Sequence, residues 1–427
     1  MGVLLLIVGL ALLMYLAYRG IPILIATLGA GVFVLVTAAQ PILQGLTGPY
    51  MKGAAGYFQN YYLVFVLGAL FGKIIEITGA AESIARGVLK YLGPKYVVTA
   101  VLIATAILCY GGVNLFVALF TIYPLAMSLF KQAGIPRRVF PAAYVAGCGT
   151  FAMTGPFTPA IQNVMPTKYL GTTVNAALIP GVIVALFQAA ACIWYLQTIT
   201  RKAIDAGETF IPRDTDVRVE EKDLPAFWIS ILPAIALLVT LNVFKADVVV
   251  AIFVGAVVAL VVLYKYLPKV NKLWDELQKA GGSGVFSLVN TAAAVGFGTI
   301  VGSTPAFKVA ANALLKIGGS PLIAAGIATT AMAGIAGSAS GGLGIALPFV
   351  KEYVLPLGVN AEALHRVISV ACGGLDSLPH NGFVITLLTV SGHTHKEAYV
   401  PIFVTTVLIP LISLALLIPL LYVFGMA

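Results

Sequence analysis

Charge is what this sequence has least of. Charged side chains make up 10% of its 427 residues, against about 25% in an ordinary soluble domain. That deficit excludes a soluble domain carrying a single anchor and leaves a membrane bundle. Histidine is scarce, with 4 copies, and the 4 cysteines (Cys109, Cys148, Cys192 and Cys372) lie singly inside apolar segments. None has zinc spacing, and free thiols fit better than disulfides. HExxH, GxSxG and cofactor-binding signatures are missing, so an intramembrane enzyme built on Asp376, His380 and Cys148 has little behind it. No cofactor and no metal site is expected. The pair His393 and His395 sits in a turn without further ligands in view. The net charge of +9 would suit nucleic acid, but the basic residues lie in short loops between apolar blocks. They read as topology signals, and no nucleic-acid partner is expected.

What the chain has in excess is apolar length, with a mean hydropathy of +1.01. The blocks are continuously apolar rather than alternating, which favours helices over a β-barrel. Candidate spans are 2–17, 21–40, 61–78, 139–168, 174–198, 226–244, 247–264, 283–303, 361–391 and 399–425. Residues 2–17 read as a first membrane helix, not a cleaved signal. Segments 96–130 and 321–356 have polar or glycine-rich centres, Gly111-Gly112-Val113-Asn114 and Gly337-Ser338-Ala339-Ser340-Gly341-Gly342, between apolar arms. Both read as re-entrant hairpins. The expectation is an all-α polytopic membrane protein of about ten transmembrane helices plus two hairpins. Segment 79–95 reads equally as an interfacial helix or a plain loop.

With the N-terminus outside, most of the 25 basic residues face the cytoplasm, leaving Lys52, Lys168, Lys245, Lys308, Lys316 and Lys351 outside and Arg366 within a span. This is the bias of a cytoplasmic, here inner, membrane. An internal repeat organises the rest. Phe71-Gly72 echoes Phe297-Gly298, Ile103-Ala104-Thr105 echoes Ile327-Ala328-Thr329, and Cys148-Gly149 echoes Cys372-Gly373. Lys90 echoes Lys316, and the hairpin centres coincide at Asn114 and Ser338. An odd number of crossings separates the repeats, so they are inverted, as in secondary transporters. The expected division is 1–60 N-terminal helices, 61–198 first repeat, 199–225 cytoplasmic linker, 226–282 linking helices and basic loop, and 283–427 second repeat.

Each repeat carries a second interruption, Gly147 to Pro159 within 139–168 and Cys372 to Gly382 within 361–391. Gly and Pro at that density cannot sustain a regular helix, and freed backbone in lipid must line a cavity or pack within protein. Hairpin tips and broken helices offer N–H groups at helix N-termini, which suit a carboxylate. The residues expected to bind substrate are Asn114, Ser338 and Ser340 from the hairpins, and Thr150, Thr154, Ser377 and Asn381 from the broken helices. Gly111, Gly112, Gly149, Gly341 and Gly373 would supply the permissive backbone. Asp376 and His380 stand out as an ionisable pair deep in an interrupted span. Taking either out of water favours its neutral form, so either could carry a coupling proton. For Thr150 and Thr154 the competing expectation is back-bonding to their own helix. Arg366, near the start of its span, is expected to snorkel to the outer interface. Lys73 and Glu76, three apart, are expected to pair.

At these residues the sequence resembles the gluconate:proton symporter (GntP) family of the ion transporter superfamily. The resemblance rests on Phe71-Gly72-Lys73 with Thr78-Gly79-Ala80-Ala81, on Thr154-Gly155-Pro156-Phe157-Thr158-Pro159, on Gly337-Ser338-Ala339-Ser340, and on Ser377-Leu378-Pro379-His380-Asn381-Gly382. It spans most of the chain from about residue 60. The segments around Ser338 and from Gly373 to Gly382 look closer to members described as 3-hydroxybutyrate or short-chain hydroxy-acid permeases. The resemblance implies proton-coupled uptake of a small organic carboxylate by a homodimer with a scaffold domain and an elevator-like transport domain. Related superfamily members use a Ser-Asn-Thr hairpin motif for sodium and carboxylate. Here the positions read Gly112-Val113-Asn114 and Gly337-Ser338-Ala339, which weighs toward H+ over Na+ as coupling ion. A sodium-coupled carrier and a passive anion channel are the rival readings.

Overall fold

The computed structural model describes residues 2–213, 223–315 and 319–426. Part of the 199–225 linker, with Arg218 and Lys222, and the repeat identity at Lys316 fall outside them. The protein is all-helical, with no strand among the described residues. Five helices are long and apolar enough to cross a bilayer: Ile42–Ile77, Leu115–Ala133, Leu178–Asp205, Val270–Ser303 and His395–Val423. The apolar segments Gly2–Ala17, Ile23–Thr37, Phe227–Asn242 and Val248–Val262 form shorter helices of 10–17 residues. At 1.5 Å per residue these fall short of a ~30 Å hydrocarbon core.

The element order recurs. Met51–Ile77, Ala80–Leu92, Val97–Tyr110, Leu115–Ala133 and a broken helix are followed by Leu178–Asp205. In the second half, Val270–Ser303, Pro305–Leu315, Pro321–Ala336, Ala339–Phe349 and a broken helix are followed by His395–Phe403 and its continuation. Segment 79–95 is a helix, Ala80–Leu92, and meets Pro94–Tyr110 at a bend of 104°. Gly93, at φ +71°, makes that corner.

Three expected boundaries fall inside helices. Residue 60 lies within Met51–Ile77, 198 within Leu178–Asp205, and 282 within Val270–Ser303. In each case the helix outlasts its apolar stretch. Lys52, Arg201, Lys202 and the run from Lys272 to Lys279 are good helix formers that carry it past the oily segment.

Met51–Ile77 and Val270–Ser303 pack along each other at the centre. Small residues let the second hairpin approach this pair: Gly298 lies against Ile345, and Gly344 against Val295. Wide helical turns occur at Leu46–Tyr50, Ala146–Phe151, Val350–Val354 and Val404–Leu408. Such bulges free carbonyls that need partners within the protein. Thr405 O, in one of them, accepts the Thr150 hydroxyl from another at 2.8 Å.

Candidate functional site

The first hairpin runs Val97–Tyr110, turns at Gly111 to Asn114, and returns as Leu115–Ala133. Gly112 sits at φ +85°, and the Asn114 side chain caps the returning helix, accepting from Phe116 N at 2.8 Å. The second runs Pro321–Ala336, turns at Gly337 (φ +57°), and returns as Ala339–Phe349. Ser338 Oγ caps that helix, accepting from Gly341 N at 3.3 Å, and lies 3.3 Å from Ser340 Oγ. The second repeat's broken helix runs Ala361–Ala371, is irregular to Asn381, and resumes as Gly382–Ser391. Asn381 caps the resumed helix through Val384 N at 2.9 Å, and its amide donates to Asp376 O at 2.8 Å.

These three capped N-termini open on one cavity of about 1620 Å³. Two contacts bring the tips to the break. Phe116 and Phe383 meet edge-on, ring centres 5.1 Å apart. His380 lies against Gly337 and donates from Nε2 to Gly334 O at 3.1 Å. A carbonyl partner requires the proton on Nε2. The cavity wall includes Asn114, Ser338, Ser340, Asp376, Ser377, His380 and Asn381, with Gly112, Gly149 and Gly341.

Asp376 and His380 share the wall but are held by different partners: the carboxylate Oδ1 accepts from Ser377 Oγ at 2.9 Å, whereas His380 holds the second hairpin. Thr150 and Thr154 are not on the wall. Thr150 bonds Thr405 O, while Thr154 back-bonds to Thr150 O at 2.8 Å and meets Gln188 Oε1 at 3.1 Å. Gly111 faces Ala234, and Gly373 packs on Met153 and Thr154 behind the wall. His393 and His395 diverge. One bonds Ser391 Oγ and the other Pro379 O.

Arg366 does not snorkel. It is wholly buried, and so is its neighbour His365, so Asp376 and His380 are not the sole ionisable groups deep in that helix. Thr172, Val174 and Ala176, in the turn after Ile161–Leu170, bond to His365 and Arg366, so the start of Ala361–Ala371 is covered rather than open to an interface.

The sequence also understated Val270–Ser303. Glu276, Lys279, Ser283, Ser287, Asn290 and Thr291 line the cavity from one face of it. Their three- and four-residue spacing was the available signal. On the same wall, Lys73 bonds Glu76 at 2.9 Å and Glu276 at 3.4 Å, and Lys279 bonds Glu276 at 3.1 Å.

An all-helical bundle of long apolar helices, with broken helices around a cavity that carries polar side chains, defines a membrane transport protein. Its fold is that of solved transporters. The Alcanivorax borkumensis YdaH transporter superposes with a TM-score of 0.62 at 16% identity, covering 87% of this chain and 88% of that one. Neisseria gonorrhoeae MtrF, described among antimetabolite efflux pumps, gives 0.55 at 15% identity over 97% and 94%. Residues 1–246 match the GntP family permease model. An uncharacterized transporter of Bacillus subtilis, YxjC, is 33% identical over 96% of both chains. A gluconate permease of Zymomonas mobilis is 27% identical over 53% of this chain and 49% of its own. The chain belongs to the GntP family of permeases.

Proposed function

We propose that this protein is a proton-coupled symporter of a small monocarboxylate, a hydroxy acid such as 3-hydroxybutyrate or gluconate, working by alternating access. The observation that carries the reading is the convergence of three capped helix N-termini, at Leu115, Ala339 and Gly382, on one cavity that also holds an acidic side chain, Asp376. Helix N-termini favour an anion. Ser338, Ser340, Ser377 and the Asn114 and Asn381 amides suit a carboxylate bearing hydroxyls. Asp376 beside a bound carboxylate would repel it when ionised. Anion binding and protonation of Asp376 therefore favour each other, which is the binding cooperativity a symporter needs.

The cavity lining includes Ala17, Gly20, Lys73, Glu76 and Lys279, all cytoplasmic in the charge-based topology, and, among the described residues, none of the lysines assigned outside. This supports an inward-open arrangement of an inner-membrane protein with its N-terminus outside. In the same reading about ten crossings and two re-entrant hairpins form inverted repeats, Met51–Ile77 and Val270–Ser303 belong to the scaffold of a homodimer, and the hairpins and broken helices move as an elevator. Relatives described as gluconate permeases support the substrate class.

The test is uptake of labelled 3-hydroxybutyrate and gluconate into proteoliposomes under an inward proton gradient without sodium. Accumulation above equilibrium, abolished by a protonophore, is expected. Accumulation only with sodium would reassign the coupling ion, and mere equilibration would make the protein a channel.

A further inference from the structure

Arg366 is among the largest side chains wholly removed from solvent. A guanidinium has five N–H donors, and all five are used. Nε donates to Ala176 O at 3.1 Å. Nη1 donates to Thr154 O at 3.0 Å and Asn163 Oδ1 at 3.2 Å. Nη2 donates to Val174 O at 3.2 Å and Ala176 O at 2.9 Å. Every acceptor is neutral, so the contacts describe a clamp on backbone rather than an ion pair.

The clamped backbone belongs to the other repeat. Thr154 ends the short helix Ala152–Thr154, where the first repeat's helix breaks; Val174 and Ala176 lie in the turn after Ile161–Leu170. Each clamped stretch contains a residue with a Cβ in the left-handed region, Phe157 at φ +68° and Ala177 at φ +45°. Such conformations persist only where the surroundings over-determine them. Neighbours on the same helix reinforce the seam. His365 bridges Asn163 Oδ1 at 3.1 Å and Thr172 Oγ1 at 2.7 Å, and Ser369 Oγ donates to Gln162 O at 3.3 Å. Asn163 in turn donates to Thr158 O and Val174 O, at 3.0 and 2.9 Å. Pro159 to Gln162, the far side of the break, form cavity wall.

We propose that Arg366 is the positioning residue of the substrate site's first-repeat wall: its fork, not its charge, holds the break at Gly155–Ala160 and the turn at 171–177 in shape and ties the two broken helices into one unit. The inference rests on the transport reading only where uptake is the readout. Arg366→Lys keeps the charge but cannot span its four acceptors, at Thr154, Asn163, Val174 and Ala176. Gly181→Ala is the gentler probe. A Cβ there would stand 3.0 Å from Arg366 Nε and 3.2 Å from its Cδ, so the fork must shift by a few tenths of an ångström while alanine suits the surrounding helix.

The experiment compares the full chain with Arg366→Lys, Arg366→Gln and Gly181→Ala in nanodiscs by hydrogen exchange, and in proteoliposomes by KM and Vmax for gluconate and 3-hydroxybutyrate. Arg366→Lys and Arg366→Gln are expected to speed exchange in peptides covering 154–163 and 171–178 by about tenfold or more, and to raise KM similarly. Met51–Ile77 and Val270–Ser303 should keep wild-type exchange. Gly181→Ala should change the same peptides and KM by a few-fold. If Arg366→Lys restores wild-type exchange and KM, the charge is what matters and the proposal falls. It falls equally if exchange rises throughout the protein. Should the Arg366 variants fail to insert, Gly181→Ala decides: faster local exchange supports the clamp, unchanged exchange overturns it. A wild type that carries neither acid sinks the proposed substrates and leaves the exchange result to judge the clamp.

Discussion

Gly337→Ala should unseat the second hairpin tip, and its cost can be worked from two contacts. Gly337 sits at φ +57°, where an alanine pays about 1–2 kcal/mol. A Cβ there would also fall 2.6 Å from His380 Cδ2 and 2.7 Å from Nε2. The ring must move, and the His380–Gly334 bond goes with it, a net loss of roughly 0.5–1.5 kcal/mol. Together these come to about 2–3 kcal/mol, a shift of roughly 30- to 150-fold between seated and displaced tip. The assay is hydrogen exchange over 334–342 in nanodiscs, alongside the KM for uptake. The two costs separate in a double-mutant cycle. With His380→Ala the clash partner is gone, so adding Gly337→Ala should cost only the backbone part, leaving a coupling of about 1 kcal/mol. Strictly additive effects, or wild-type exchange in Gly337→Ala, would show that the tip does not rest on His380 and would remove the contact that closes the cavity there.

Two further outcomes follow from the same geometry. Asp376→Asn keeps the shape of the side chain and removes the site for a proton, so net uptake should lose its dependence on the proton gradient while exchange of internal for external substrate survives; full proton-driven accumulation in this variant would rule out Asp376 as the coupling group. In the turn after Gly382–Ser391, burial and then the Arg213 guanidinium hold His393 down to about 4, below its ordinary 6.5. A depressed histidine value means the open turn takes up a proton more readily than the closed one. The closed turn is therefore fully stable above pH 6.5 and loosens as pH falls toward 4, visible as faster exchange over 391–397, and His393→Asn should flatten that profile.

The sequence made the two hairpins, both breaks and the polar residues at their tips legible because each carries a local chemical sign. Glycine-rich centres cannot continue a helix, and polar residues in lipid need a reason. Asn114, Ser338 and Asn381 stood out as polar residues at helix interruptions for that reason, and each proves to be an N-cap on the cavity wall, a role set by the few residues after it. What was not legible depended on contacts far along the chain. Thr150 and Thr154 resemble the other hydroxyls, yet a bulge at Val404–Leu408 and the side chain of Gln188 turn them from the cavity. Arg366 was misplaced because position along a span predicts depth only when nothing else covers the helix end. Its acceptors lie about 190 to 212 residues earlier, and no local pattern announces them.

The same distinction bears on selectivity. In the proposed site the tips and the second break would supply donors for a carboxylate, and those donors would be common to any small acid. Discrimination between acids needs groups that meet the rest of the molecule. The face of Val270–Ser303 with Ser283, Ser287 and Asn290 lines the same cavity. One turn beyond it, Val295 abuts Gly344 of the second hairpin. A hydroxyl-rich chain extending from the tips would find hydrogen-bonding partners along that face, whereas a short acid would leave them to water. Water on that face is displaced at little cost only by a ligand whose own hydroxyls replace its hydrogen bonds. The number of hydroxyls a substrate carries should therefore be read by this helix rather than by the hairpins, and Asn290→Leu should shift preference from gluconate toward 3-hydroxybutyrate in competition uptake. An equal loss for both acids would place the substrate wholly within the tips and the breaks.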